Sequence, residues 1–131
     1  MNSLSIFLEW VHHKCTINSL ERTHVIKQGE IYWCALGLNV GDEENGKGFN
    51  FRRPILVFKK FNNNIFLGIP LSTKNKENKY YLQIIVKDIL QSAMISQIRV
   101  IDTKRLDEKV GYISKNDFEK NKTAVLNMIS K

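Results

Sequence analysis

The chain has 131 residues, 43% of them apolar, with only two prolines and seven glycines. That suits one folded domain with its own core and excludes disorder. It carries 20 Lys and Arg against 13 Asp and Glu, a net charge of +7, so its natural partner is a polyanion, nucleic acid first, or an acidic protein.

Residues 3–15 read as a helix. Leu4, Phe7, Leu8 and Val11 recur at i, i+3, i+4 and i+7, one face of a helical period. Ile6 and Trp10 widen that face, and Ser3 is placed to cap it. The face is expected to pack on the body of the domain or, second, on a partner protein. This N-terminus has no basic lead-in, and Glu9 interrupts its apolar part. It does not read as a secretory signal, and no apolar run reaches the length of a membrane span. The cytoplasm is therefore expected. Residues 19–22 suggest a further short helical turn. His12 and His13 point about 100° apart on a helix, so they and His24 read as exposed residues and not as a catalytic pair. Cys15 and Cys34 have no metal or redox spacing and read as buried thiols.

Gly29 to Leu36 reads as a strand, rich in aromatic and β-branched residues. Asn39 to Asn50 is a loop. Residues 54–60 and 65–71 are strands joined by the turn Phe61-Asn62-Asn63-Asn64. Lys74 to Lys79 is a polar turn. Strands are expected at Tyr80–Val86, at Met94–Ile101 and, shorter, at Val110–Ile113. Ser114 and Asp117 form a capping signal. It opens a C-terminal helix expected to turn Phe118, Val125 and Ile129 inward. Short strands at regular spacing predict a small antiparallel barrel, with no repeat, linker or second domain.

The chemistry gathers in residues 41–73. A loop with Gly41, Gly46 and Gly48 carries Asp42, Glu43 and Glu44. It leads to Arg53-Pro54, where the proline restricts the arginine's backbone. The next strand ends Pro70-Leu71-Ser72-Thr73. Antiparallel pairing would place Arg53 beside Ser72 at one rim of the sheet, under a mobile loop. Guanidinium and hydroxyl together suit a phosphate. Each piece also has a plain reading: an arginine solvating a strand end, a hydroxyl bonding backbone, solvated loop acids.

The succession G-x-E, glycine-containing loop, R-P-x-L-V and P-L-[ST]-[ST] resembles the MazF/PemK toxins of type II toxin–antitoxin systems. Ser96 to Leu106 resembles that family's later Q-x-R-x-I-D-x-x-R-L segment. The resemblance covers residues 28–118. It leaves 1–26 as an N-terminal helical extension and 27–131 as the toxin barrel with its C-terminal helix. It implies a mainly β, α+β fold: an SH3-like antiparallel barrel. It also implies a homodimer sharing one RNA groove, and an acidic antitoxin as partner. The implied activity is sequence-specific, metal-independent cleavage of single-stranded RNA, leaving 2′,3′-cyclic phosphate and 5′-hydroxyl ends without a cofactor.

By the same resemblance Arg53, Ser72 and Glu43 match catalytic positions. Thr73, Lys74, Gln97, Arg99, Arg52 and Lys47 are expected to bind RNA or support the site. Arg99 alternates with Ile98 and Val100, so it points away from the core if those two point in; Asp102 is its alternative, ion-pairing partner. One departure matters. Some relatives carry a carboxylate directly before the Gln or an Arg two residues earlier, where this chain has Ser96 and Met94. Proton transfer would then rest on Arg53, Ser72, Glu43 or water, although an arginine with a pKa above about 12 is a poor acid. Two rival readings share the barrel: a non-catalytic toxin like the gyrase poison CcdB, and an inactive RNA- or protein-binding module.

Overall fold

The computed structural model describes residues 3–48, 51–74 and 77–131. Its elements are α1 (Ser3–Ser19), β1 (Glu30–Ala35), β2 (Arg52–Lys60), β3 (Ile65–Ser72), β4 (Tyr81–Val86), β5 (Ile89–Met94), β6 (Arg99–Asp102), β7 (Leu106–Tyr112) and α2 (Lys115–Ser130). The strands form one seven-stranded sheet in the order β4-β5-β3-β2-β1-β7, with β6 also on β3. Every pairing between these strands is antiparallel.

The hub is β3. Its first half, Ile65 to Gly68, pairs with β6, and its end, Leu71 and Ser72, pairs with β5. That change of partner, with the register shift between β2 and β3 at Val57 and Lys59, curls the sheet into a half-barrel. Both faces of β2 are buried, as its unbroken apolar run foretells. Leu56 joins Ile31, Ile69, Leu71 and Val125 in a core under α2. Ile55 and Val57 join Tyr32, Cys34, Phe66 and Ile101 in a second core on the other face.

Several expectations need correction. The predicted strand over 94–101 is two elements. Ile95–Gln97 is a 3-10 turn, with β5 before it and β6 after it. β5 itself was not expected. The last strand begins four residues earlier than expected, at Leu106. α1 runs on to Ser19, and of the apolar face read for it only the Trp10 edge docks, while the central stripe is exposed. Leu4, Phe7, Leu8 and Val11 are between 42% and 66% exposed, whereas Trp10 and Ile17 are buried. Ile129 on α2 is exposed, and Asn121 is buried in its place beside Val125. Cys34 is buried, but Cys15 is exposed. Met1 and Asn2, the loop residues Phe49 and Asn50, and Asn75 and Lys76 of the expected turn over 74–79 lie outside the described residues. No helix among those described is long and apolar enough to cross a membrane.

Candidate functional site

β2 starts with two arginines that go separate ways, because successive side chains in a strand face opposite sides. Arg52 turns outward over the Trp33 ring, 4.9 Å from its centroid, and pairs with Asp107 on β7 at 2.8 Å. Arg53 turns inward and is only 6% exposed. The β2–β3 register places Ile55 opposite Pro70, so Arg53 arrives at the end of β3. There its Nη1 donates to the Leu71 carbonyl oxygen at 3.0 Å, one residue before Ser72. Ser72 is buried, and its hydroxyl oxygen accepts the Lys74 backbone N–H at 3.1 Å. Arginine and hydroxyl thus meet at one rim, as the paired motifs predict.

The loop before β2 supplies the remaining partners. Arg53 Nε donates to the Asn45 carbonyl oxygen at 2.7 Å, and Nη2 forms an ion pair with Glu44 at 2.7 Å. All three guanidinium nitrogens are thereby engaged, Nε and Nη1 by hydrogen bonds and Nη2 by the ion pair. Glu43, the acid singled out in the sequence, makes no such contact. Its carboxylate accepts the Val40 N–H at 2.9 Å on the loop surface. The acid paired with Arg53 is Glu44.

The described part of this loop is knit together, not loose. The Asn39 N–H donates to Asn45 Oδ1 at 2.6 Å, and Asn39 Nδ2 donates to the Glu44 carbonyl oxygen at 2.7 Å. Lys47 and Arg52 form an isolated backbone bridge, and Gly46 lies against the Phe51 carbonyl. A Cβ at Gly46 would stand 1.7 Å from that oxygen, so only glycine lets the two limbs of the loop touch. This folding-back carries Glu44 and Asn45 to Arg53. Nothing in the residue types singles out Glu44; the Lys47–Arg52 bridge is the signal, and it is a backbone feature.

Gln97 latches the loop from the opposite side. Its Oε1 accepts the Glu44 N–H, and its Nε2 donates to the Asp42 carbonyl oxygen, both at 3.2 Å. A groove of about 280 Å³ opens here, lined among others by Glu43, Glu44, Pro70, Ser96, Gln97 and Arg99. Neither Arg53 nor Ser72 lines it; Glu44 stands between the groove and Arg53. The orientation of Arg99 also needs correction. Val100 is exposed and Ile101 buried, so Arg99 shares the side of Ile101 and turns toward the groove. Its positive charge acts on the buried Cys34 and Arg105. Asp102 does not pair with Arg99 but with Arg22, at 2.8 Å. Thr73 and Lys74 are exposed at the end of β3, and Lys47 is exposed on the loop. Among the described residues no three His, Cys, Asp or Glu side chains gather as metal ligands.

A family model described as the PemK-like, MazF-like toxin of type II toxin–antitoxin systems matches residues 27–129. The chain belongs to that family. Three solved structures place this PemK/MazF chain among its folds. MazF from Deinococcus radiodurans is 14% identical at a TM-score of 0.66, covering 83% of this chain and all of that one. An endoribonuclease in complex with its cognate antitoxin, from a mycobacterial species, is 14% identical at 0.64, covering 81% and 96%. The Mycobacterium tuberculosis toxin MazF-mt6 is 11% identical at 0.57, covering 77% and 96%. At such identities the likeness is one of fold: a curled antiparallel half-barrel. No curated protein matches the chain in sequence. The family match begins at residue 27, so α1 lies wholly outside it.

Proposed function

We propose that this PemK/MazF family member is a metal-independent endoribonuclease acting on single-stranded RNA. The observation that supports it best is the placement of Arg53 between Glu44 and the end of β3. One N–H on each terminal guanidinium nitrogen is left for a phosphate, the planar fork that suits two phosphate oxygens. The ribose 2′-oxygen attacks the adjacent phosphorus, and the bond from phosphorus to the 5′-oxygen breaks. Glu44 takes the 2′-hydroxyl proton, and water protonates the departing 5′-oxygen. Arg53 and the Ser72 hydroxyl stabilise the charge that builds on the phosphorane. The products are a 2′,3′-cyclic phosphate and a 5′-hydroxyl. Thr73, Lys74 and Arg99 lie along the strand's path; Gln97 acts chiefly by holding the loop.

The partner we propose is an acidic antitoxin, which fits a chain of net charge +7, and the toxin works as a homodimer in the cytoplasm. One observation favours a binding protein without catalysis: Arg53 is buried and all three of its guanidinium nitrogens are already engaged by the protein. One experiment separates the two. The purified protein is incubated with a long, open RNA in excess EDTA and the fragment ends are mapped. Discrete cuts bearing 5′-hydroxyl ends, lost in Arg53→Ala by roughly 10²–10³-fold, support the nuclease. Intact RNA supports the binding protein.

A further inference from the structure

The N-terminal helix lies outside the family match, yet its one buried aromatic stands on the loop that holds Arg53. The Trp10 ring is 5% exposed. It lies so close over Gly37 that a Cβ there would meet it at 2.0 Å, and it meets the Phe51 ring edge-on at a centroid distance of 5.4 Å. Gly37 is the residue that joins both limbs of the loop. Its N–H donates to the Phe51 carbonyl oxygen at 3.1 Å, and its own carbonyl oxygen accepts the Gly46 N–H at 2.7 Å. The next residue back from Gly46 is Asn45, whose carbonyl holds Arg53, and the one before it is Glu44, whose carboxylate pairs with Arg53.

Phe51 adds a second reason. Its φ is +54°, a left-handed conformation that a non-glycine residue keeps only when its surroundings enforce it. Trp10 and His13 are the rings packed on it. The other end of α1, and the chain just after it, are tied to β6 and the turn that follows it. Lys104 Nζ donates to the Asn18 carbonyl oxygen at 3.0 Å, and Arg22 pairs with Asp102, the last residue of β6, at 2.8 Å. Arg99 opens that same strand.

We propose that α1 is a clasp built into the site, and that Trp10 is a positioning residue for Arg53. It acts through Gly37 and Phe51 on the loop that presents Glu44 and the Asn45 carbonyl. The helix therefore belongs to the working part of the molecule, although the family's own barrel ends short of it. The inference rests on Arg53 being the reacting arginine.

The test is carried out on the full chain with Trp10→Ala, Trp10→Phe and, as a control of ordinary destabilisation elsewhere, Val125→Ala. Hydrogen exchange of the Arg53 Nε–H is followed by NMR, with the resonance assigned through Arg53→Lys. In the parent it is buried and bonded and exchanges slowly. We expect fast exchange in Trp10→Ala, with the amides of Leu56 and Ile69 still protected, recovery in Trp10→Phe, and no change in Val125→Ala. In RNA cleavage, kcat falls roughly 10–100-fold in Trp10→Ala with KM nearly unchanged, the size expected when a reacting group is misplaced by an ångström. Unchanged exchange at Arg53 overturns the clasp. So does general loss of protection in β2 and β3, which would make Trp10 an ordinary core residue. A parent protein that cuts no RNA, yet loses Arg53 protection in Trp10→Ala, refutes the nuclease and leaves the clasp standing.

Discussion

Arg53 owes its orientation to three acceptors of two kinds, and the kinds differ in what they can be replaced by. The two carbonyls come with the backbone. Glu44 is the only one a side-chain substitution removes. Its ion pair joins a side chain 7% exposed to one 24% exposed, so it is shielded enough to matter, unlike a surface pair. Glu44→Gln keeps a hydrogen-bond acceptor but loses the charge, and in the proposed reaction it also loses the proton acceptor. We expect kcat for RNA cleavage to fall at least about tenfold. Glu44→Ala is expected to lower unfolding stability by about 1.5–3 kcal/mol, the range for a bond to a charged group, read as a lower urea midpoint at unchanged slope. Glu43→Gln should stay within about twofold of the parent, since its carboxylate serves only a surface N–H. A larger loss in Glu43→Gln than in Glu44→Gln would return the acid's role to Glu43. Counting G-x-E from Gly41 reaches Glu43 because it reads the loop as a line. The pairing of Lys47 with Arg52 reads it as a fold, and that pairing leaves no trace in residue type. The placement of Arg53 and Ser72 at one rim is legible because a proline and two strand ends set it without any help from the loop.

Among the elements, the legible ones were those whose pattern admits one answer. The continuous run from Ile55 to Phe58 can only be a strand buried on both faces or a helix, and its length decides for the strand. The asparagine turn closes as expected, with Asn62 Oδ1 accepting the N–H groups of Asn64 and Ile65 at 2.7 and 3.0 Å. β5 was missed because its hairpin lacks the usual signal. Lys87 and Asp88 both adopt positive φ, +49° and +64°, where a two-residue turn normally takes Asn or Gly. α1 was misoriented because it is apolar on two sides, so periodicity names a stripe but not the one that docks. The stripe that docks is the one whose Trp10 finds Gly37 and whose end, at Asn18, finds Lys104, and those are tertiary facts. α2 shows the opposite case. Its Ser114 side chain accepts the Asp117 N–H at 3.0 Å, a local contact read directly from sequence. Ser114→Ala should cost about 1 kcal/mol, measured by urea unfolding. A change within about 0.2 kcal/mol would mean that packing at Val125, not the cap, fixes where α2 begins.

For the molecule as a whole, two half-buried carboxylates and two buried acids set the pH range over which the half-barrel holds together. Burial raises the carboxyls of Glu30 and Asp102, but their partners outweigh it and both end below the usual carboxylate range. Lys109, the Lys27 N–H and Tyr32 act on Glu30; the Lys104 N–H and Arg22 act on Asp102. A depressed carboxylate contributes stability above its unfolded pKa, near 4, and that contribution is lost as pH falls through the folded value. Glu30 joins β1 to β7 and Asp102 joins β6 to the chain just after α1, so acid loosens the sheet's edge and the helix together. The positive charge of the body grows at the same time and adds repulsion. Burial pushes the Cys34 thiol up to about 12 from 9.0, and burial with the charge of Glu30 pushes the Tyr32 hydroxyl up to about 12 from 10.0. Both groups are raised, so their contribution is complete below the unfolded pKa and disappears as pH climbs through the folded one. Stability should therefore be flat between about pH 5 and 9 and fall on both sides. Urea midpoints measured across pH will show whether it does. Asp102→Asn should make the acid limb shallower, leaving the share of Glu30 and the alkaline limb in place, and Cys34→Ala should delay the alkaline limb alone. If the alkaline limb keeps its place in Cys34→Ala, the second core does not hold that thiol in its neutral form, and Tyr32 alone must account for the loss.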